Sequence, residues 1–421
     1  MKNLYSTKIK KEYFSSILIA ILLVVASVRG IFVINLNIPA SIVYVFTSIL
    51  MLLLSIYGTL ICRNFKEPQY KKLFLLLKLN TFFFLLYILL ELLLGQGFDF
   101  SVQYYFIAPF SVFVFYRLKE THFYYAIIII TFLIGYSVLD NFFESLTGEN
   151  GVDSILQYHI KLRPDIFENL SRTGDFFRVG GYTGSYHDSA NILGMLSTYF
   201  FILFIAKGKI IDLVISLFAI FSLTITQSAA NIIITILSIL LFSLLTIYYS
   251  NKAKNIIYFL VILLFFLILM NYFGDIMKIF TMRLNKEEGD WEGMNNSLNL
   301  KTLLQSTIFF IFGHSLAFSA QITKTEVSFL KQIVQFGLIQ SLIHFSILVY
   351  PFYIIQKLKI KLINLNKELW PLLATLFFGF FSMIHYGSLM RITSIFLFYS
   401  IASQIYVIIH NDLNKKFNYS N

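Results

Sequence analysis

A chain of 421 residues that is 57% hydrophobic and only 13% charged, with a mean hydropathy of +0.75, is excluded from the ordinary soluble domains, whose single cores stop growing near about 300 residues. The formal net charge of +11 sits in short loops between apolar runs; no basic stripe with interleaved aromatics marks a nucleic-acid surface, so no nucleic acid is expected as a partner. One cysteine, Cys62, excludes an intrachain disulfide, and the sequence holds no Cys/His metal spacing and no Walker-type or dinucleotide-type glycine motif.

Runs of about 20 apolar residues match the ~30 Å hydrocarbon layer of a bilayer. In chain order they predict helices over 15–36, 38–61, 73–94, 102–116, 123–139, 189–206, 210–226, 229–249, 256–273, 326–355, 369–388 and 392–409. The expected fold class is an all-α polytopic membrane protein of about 12 transmembrane helices, with residues 1–421 forming a single transmembrane domain. The first run follows Lys2, Lys8, Lys10 and Lys11. It is too long for the core of a signal peptide and stays as the first span.

The connections alternate in charge. One set holds Lys2 to Lys11, then Arg63, Lys66, Lys71, Lys72, Arg117, Lys119, Lys207, Lys209, Lys252 and Lys254, and ends with Lys357, Lys359, Lys361, Lys367, Lys415 and Lys416. This is most of the 33 basic residues. Positive loops stay inside, so this set and both termini are expected in the cytoplasm, where the lysines also meet anionic membrane lipids. Two outer loops are long, 140–188 and 274–325. Connections of that length are usually functional. Short helices are expected in both, at Asp153–Ile160 and at Leu298–Phe312.

The polar residues that can carry chemistry gather at the outer side. Arg178 begins the stretch Arg178-Val-Gly-Gly-Tyr-Thr-Gly-Ser-Tyr-His-Asp-Ser-Ala-Asn191, just before the sixth span. A guanidinium forks onto phosphate, Gly180, Gly181 and Gly184 allow backbone N–H groups to approach an oxyanion, and the helix expected to start near Ser189 points its positive end there. His187 suits a proton shuttle. Asp188 suits either its orientation or a helix cap, as do Ser189 and Asn191 for the cap. Tyr182 and Tyr186 suit stacking on sugar rings. Arg283, in the second outer loop, is a second phosphate clamp or a partner of the acids that follow it. His314 and Glu326 flank the entry to the tenth span, where a carboxylate also complements the helix dipole. Gln227 lies in the outer turn before the eighth span, and Arg391 in the turn before the twelfth. Among in-span ionisable groups, Arg29, Glu91 and His385 fall toward the outer ends, while His344 lies deeper and reads as an interhelical hydrogen bond.

Three elements resemble the O-antigen polymerase and O-antigen ligase superfamily, Wzy-like membrane glycosyltransferases of the GT-C type. They are Arg178-x-Gly-Gly-x5-His-Asp-Ser-Ala-Asn191 leading into a span, the turn Thr224-Ile-Thr-Gln-Ser-Ala-Ala230, and Ile311-Phe-Gly-His-Ser followed by Glu326-x-x-x-Leu330 and Phe336-Gly-Leu-Ile339. Three departures stand out. Glu326 stands where ligases tend to carry histidine, the turn lacks the arginine often found after its serine, and His187-Asp188-Ser189 replaces a Pro-Asn run. The resemblance implies a GT-C-like bundle in the bacterial cytoplasmic (inner) membrane with its active site on the periplasmic side. It implies transfer of a growing glycan from undecaprenyl diphosphate to a hydroxyl of a new lipid-linked repeat unit. No cofactor and no catalytic metal is implied, and a chain-length regulator protein is an expected partner. Arg178, His187 and Glu326 would be catalytic. Arg283, Arg391, Gly181, Tyr182, Tyr186, His314 and Gln227 would bind substrate. The competing expectations are a ligase-type glycan transferase and a flippase or other transporter for lipid-linked oligosaccharide.

Overall fold

The computed structural model describes residues 2–36, 38–62, 68–93, 105–147, 180–183, 185–226, 228–250, 311–313, 328–357, 369–384 and 392–418. Among the described residues every regular element is helical and no strand occurs. That follows from the composition, because in lipid each backbone N–H and C=O has to find its partner within its own segment. The helices are α1 (Lys2–Ser27), α2 (Gly30–Ile34), α3 (Ala40–Cys62), α4 (Pro68–Leu93), α5 (Ser111–Phe115, entered through a tight turn at Ala108–Phe110), α6 (Glu120–Thr147), α7 (Tyr186–Lys207), α8 (Ile210–Ile225), α9 (Ala229–Ser250), α10 (Ser328–Phe336), α11 (Leu338–Lys357), α12 (Leu369–Ser382) and α13 (Ile392–Asn418).

Among these residues five segments are long and apolar enough to cross a membrane: Lys71–Leu89, Glu120–Phe143, Tyr186–Lys207, Ala230–Tyr248 and Leu338–Gln356. The protein is a helical, multi-pass, membrane-embedded chain. Two expected spans differ in form. Residues 15–36 are α1 and then α2, with a break at Val28 and Arg29, and the expected span 326–355, described from Ser328 onward, is divided at Gly337 into α10 and α11. The helix expected to end near residue 139 continues to Thr147. The expected span 256–273 and the expected helices at Asp153–Ile160 and, up to residue 310, Leu298–Phe312 lie outside the described residues.

The bundle is built around α7. Its side chains from His187 to Ala206 are all buried, between α8, α9 and α12 on most sides and α6 and α13 on the rest. Lipid tails give no hydrophobic drive for helices to associate, so packing and interhelical hydrogen bonds have to do it. The sequence of α7 supplies both. Gly194 leaves room for the Phe378 ring of α12, which would lie 2.4 Å from any Cβ placed there. Ser216 of α8 donates to the Ser197 carbonyl at 2.9 Å. The outer helices instead show apolar stripes to the lipid: Ile42, Phe46, Ile49, Leu53 and Ile56 on α3, and Leu75, Phe82, Leu85, Leu89 and Leu92 on α4.

At the end of the bundle where α7 finishes, most of the described lysines collect, and the helices are tied by polar contacts. Lys207 pairs with Glu120 at 3.7 Å, and Tyr124 of α6 donates to the fully buried Asp212 carboxylate of α8 at 2.5 Å. Tyr124→Phe removes a donor from that buried carboxylate. It is expected to cost about 1.5–3 kcal/mol, read as a lower Tm of the detergent-solubilised chain.

Candidate functional site at the start of helix α7

The opposite, lysine-poor end is where the Gly180–Asn191 stretch folds. Gly181–Thr183 form a single tight turn. Gly181 has φ +55° and lies so close to α6 that a Cβ would come within 2.3 Å of the Ser137 hydroxyl. A glycine is therefore needed here for fit to α6. The Tyr182 N–H donates to Ser137 Oγ at 3.0 Å, and Asn35, just past α2, donates to the Tyr182 hydroxyl at 3.3 Å. The Tyr182 ring is thus buried between α2 and α6.

A second set of hydroxyls fastens the turn to α7. Ser189 Oγ donates to the Gly180 carbonyl at 2.5 Å and stands 2.8 Å from Thr183 Oγ1. Thr183 Oγ1 is also 3.0 Å from the Gly180 carbonyl and 2.8 Å from that of Ser185. Ser185, with an extended backbone (φ −149°, ψ 129°), occupies the N-cap position. The helix therefore starts three residues before Ser189, and His187, Asp188 and Asn191 lie inside it. Asp188 complements the positive helix end from the first turn and accepts a hydrogen bond from Thr393 of α13 at 2.9 Å. Two helix N-termini meet through that bond. His187 is buried beside the half-buried Tyr186, their rings 3.9 Å apart.

Of the expected site residues, the structure thus assembles Gly181, Tyr182, Tyr186 and His187 at one end of the bundle. Arg178, Gln227, Arg283, His314, Glu326 and Arg391 lie outside the described residues. For two of them the described chain starts at or beside this place, and for Glu326 it starts against the end of α12. Arg178 precedes Gly180 by two positions, Arg391 precedes Thr393 by two, and Glu326 precedes Ser328, whose neighbour Phe329 donates its N–H to the Met383 carbonyl at 3.1 Å. Sequence reasoning missed Asn35, Ser137, Ser189 as a tether, and Thr393. Ser137 carried the one usable signal, a small hydroxyl on an otherwise apolar helix. Among the described residues no three His, Cys, Asp or Glu side chains come together as metal ligands.

A second polar cluster lies deeper, where the tenth expected span is broken. Gly337 has φ +85° and Gly313 has φ +91°. The two backbones pack directly on each other, so that Ile311-Phe-Gly313 and Phe336-Gly337, distant in sequence, touch. Around this break the Tyr105 ring stacks on Phe336 at 3.8 Å and on His344 at 3.9 Å, and its hydroxyl meets the Gln332 amide. His344 Nδ1 is 2.8 Å from the Tyr399 hydroxyl of α13, an interhelical hydrogen bond as expected. Gln340 reaches Asn80 of α4, which in turn donates to the Phe106 carbonyl at 2.9 Å.

Compared with protein families, curated proteins and solved structures, the chain matches none of them.

Proposed function

We propose that this chain is a membrane glycan polymerase that transfers a growing saccharide from undecaprenyl diphosphate to a hydroxyl of a second lipid-linked repeat unit, on the periplasmic side of a bacterial inner membrane. The observation that carries the reading is the polar start of α7. His187, Asp188, Ser189 and Asn191 open a helix otherwise sealed in the bundle, at the lysine-poor end. Lysine-rich ends stay cytoplasmic, so this end faces outward, where flipped lipid-linked sugars are presented. Polar groups in a membrane span are costly and mark function by default.

In this reading the acceptor oxygen attacks the anomeric carbon, the bond from that carbon to the diphosphate oxygen breaks, and undecaprenyl diphosphate leaves. Arg178, two residues from the tethered Gly180, holds the diphosphate and stabilises the charge it gains, with Arg283 and Arg391 as further cations. His187 or Glu326 takes the acceptor proton. Tyr186 sits beside His187 at the edge of the sugar path. The chain-length regulator is a partner of this activity.

The test is conversion of purified lipid-linked repeat unit into a ladder by the reconstituted chain. Arg178→Ala is expected to lower ladder formation by at least about a hundredfold, the scale of losing one preorganised oxyanion donor, with unchanged membrane insertion. No ladder from the wild-type chain overturns the reading. A persistent ladder from Arg178→Ala moves the site elsewhere.

A transporter of lipid-linked oligosaccharide is the second reading. The broken helix at Gly337, with Gln332, Gln340 and His344 buried beside it, favours it, because transporters bind substrate at discontinuous helices. Movement of labelled lipid-linked oligosaccharide between leaflets of liposomes, without chain growth, separates the two.

A further inference from the structure

Inside a helix a threonine hydroxyl can turn back to the carbonyl four residues earlier. Thr47, Thr131, Thr198, Thr235 and Thr375 all do so, at 2.6–2.8 Å. Thr393 is the second residue of α13, so its own helix offers no carbonyl four residues back. Fully buried, it donates instead to Asp188 Oδ2 of α7 at 2.9 Å. Further along α13, Ser403 donates to the Val112 carbonyl of α5 at 2.7 Å and Tyr406 to the Ile347 carbonyl of α11 at 2.8 Å. Those joins are neutral. Holding helices together needs no buried carboxylate, since apolar packing does it at least as well. The carboxylate at the start of α13 therefore asks for a reason other than stability.

We infer that Thr393 is a positioning residue for the transfer reaction: its bond to Asp188 fixes the first turn of α7, and with it His187. The inference rests on the glycan-transfer reading. That turn moves as a unit, because the Ser189 N–H closes it onto the Ser185 carbonyl at 3.1 Å. Two tethers hold it, Ser189 Oγ on the Gly180 carbonyl and Asp188 on Thr393. α13 packs on α7 less than α8, α9 and α12 do, so at this contact the hydrogen bond sets the spacing. With it cut, the turn pivots about its tether at Gly180, and His187, the residue before Asp188, swings with it. A base so displaced meets the acceptor hydroxyl out of line. Thr393 acts through Asp188 on where His187 stands, without touching the substrate.

The test is the ladder assay on the reconstituted full-length chain, read as maximal rate and as half-saturating concentration of repeat unit, with Tm alongside. Thr393→Val keeps the branched shape and removes the donor. It is expected to lower the maximal rate at least about tenfold, toward the roughly hundredfold loss of a ~1 Å misplacement. The half-saturating concentration is expected to stay within about twofold of wild type, the pattern of a contribution made only in the transition state. Thr393→Ser, which keeps the donor, is expected to recover most of the rate. Ser403→Ala removes a hydroxyl join from the far part of the same helix. It is expected to lower Tm as Thr393→Val does while the rate stays at wild type. If Thr393→Val is not recovered folded, Thr393→Cys replaces it, since a thiol is a weak donor; its rate is expected to fall below that of Thr393→Ser. A wild-type rate in Thr393→Val or Thr393→Cys overturns the inference. So does a Thr393→Ser rate no higher than theirs, or equal slowing in Ser403→Ala, either of which marks Thr393 as structural. A raised half-saturating concentration at unchanged maximal rate overturns it too, placing Thr393 in binding. Absence of a wild-type ladder removes the polymerase reading and the inference with it, whereas a ladder indifferent to Thr393 removes the inference alone.

Discussion

Gly337→Ala is expected to destabilise the bundle by about 2–5 kcal/mol and to leave little monodisperse protein after extraction, from about 1–2 kcal/mol for a side chain at positive φ and about 1–3 kcal/mol for forcing packed backbones apart. The second contribution comes from geometry. A Cβ on Gly337 would lie 2.4 Å from the Ile311 carbonyl oxygen and 2.7 Å from the Gly313 nitrogen, both backbone atoms that cannot rotate away. Gly208 supplies the control. It also has positive φ, +75°, at the end of α7, but a Cβ there would meet nothing within 4 Å. Gly208→Ala therefore pays only the conformational cost. Thermal unfolding followed by size-exclusion fluorescence separates the two, and equal Tm losses would show that the crossing at Gly313 is looser than described.

Gly30→Ala is expected to lower the proposed polymerisation about a hundredfold, the scale of a ~1 Å misplacement of catalytic groups, while reducing stability by about 1–3 kcal/mol. A Cβ at Gly30 would sit 1.8 Å from the Tyr182 carbonyl oxygen. Short α2 would have to lift from the turn, drawing Tyr182 away from Asn35 and Ser137. The hydroxyls of Thr183 and Ser189 pass that shift to the first turn of α7. The measurement is the ladder rate set against the Tm. A full rate in a folded Gly30→Ala protein would separate the turn at Gly181 from the chemistry.

Much of the helical frame was legible in the sequence, because uninterrupted Leu, Ile and Phe in a bilayer leave the backbone no alternative. The place of each helix was not legible. Hydropathy cannot tell a helix facing lipid from one sealed by protein: α4 and α7 are both apolar, yet one shows a stripe of leucines and the other shows nothing. The usable sign in α7 was its small and hydroxylated set, Ser189, Gly194, Ser197 and Thr198. A glycine within an apolar run is tolerated in a straight helix, so Gly337 gave no notice of a break until Gly313 was seen against it. At the candidate site the polar run from Gly180 to Asn191 was visible as a cluster. Its tethers were not, since Asn35, Ser137 and Thr393 are single polar residues on separate apolar segments. The reversal at Gly181 has the same cause: what read as room for an oxyanion is first of all room for Ser137. Arg178, Gln227, Arg283, His314, Glu326 and Arg391 carry the remaining half of the proposed site and lie outside the described residues.

The complete burial of α7 also bears on how the protein is made. Most of what covers it, α8, α9 and α12, is synthesised afterwards, and α12 begins only at Leu369. A ribosome that has just released Lys207 has therefore delivered a helix whose Asp188, Asn191, Ser197 and Thr198 face lipid or the insertion machinery, with no finished bundle to receive them. Its residence in the bilayer depends on segments far downstream. Chains truncated before α12 should for that reason be substrates for membrane quality control, whereas a chain split between α9 and α10 and expressed as two pieces can still reassemble around it.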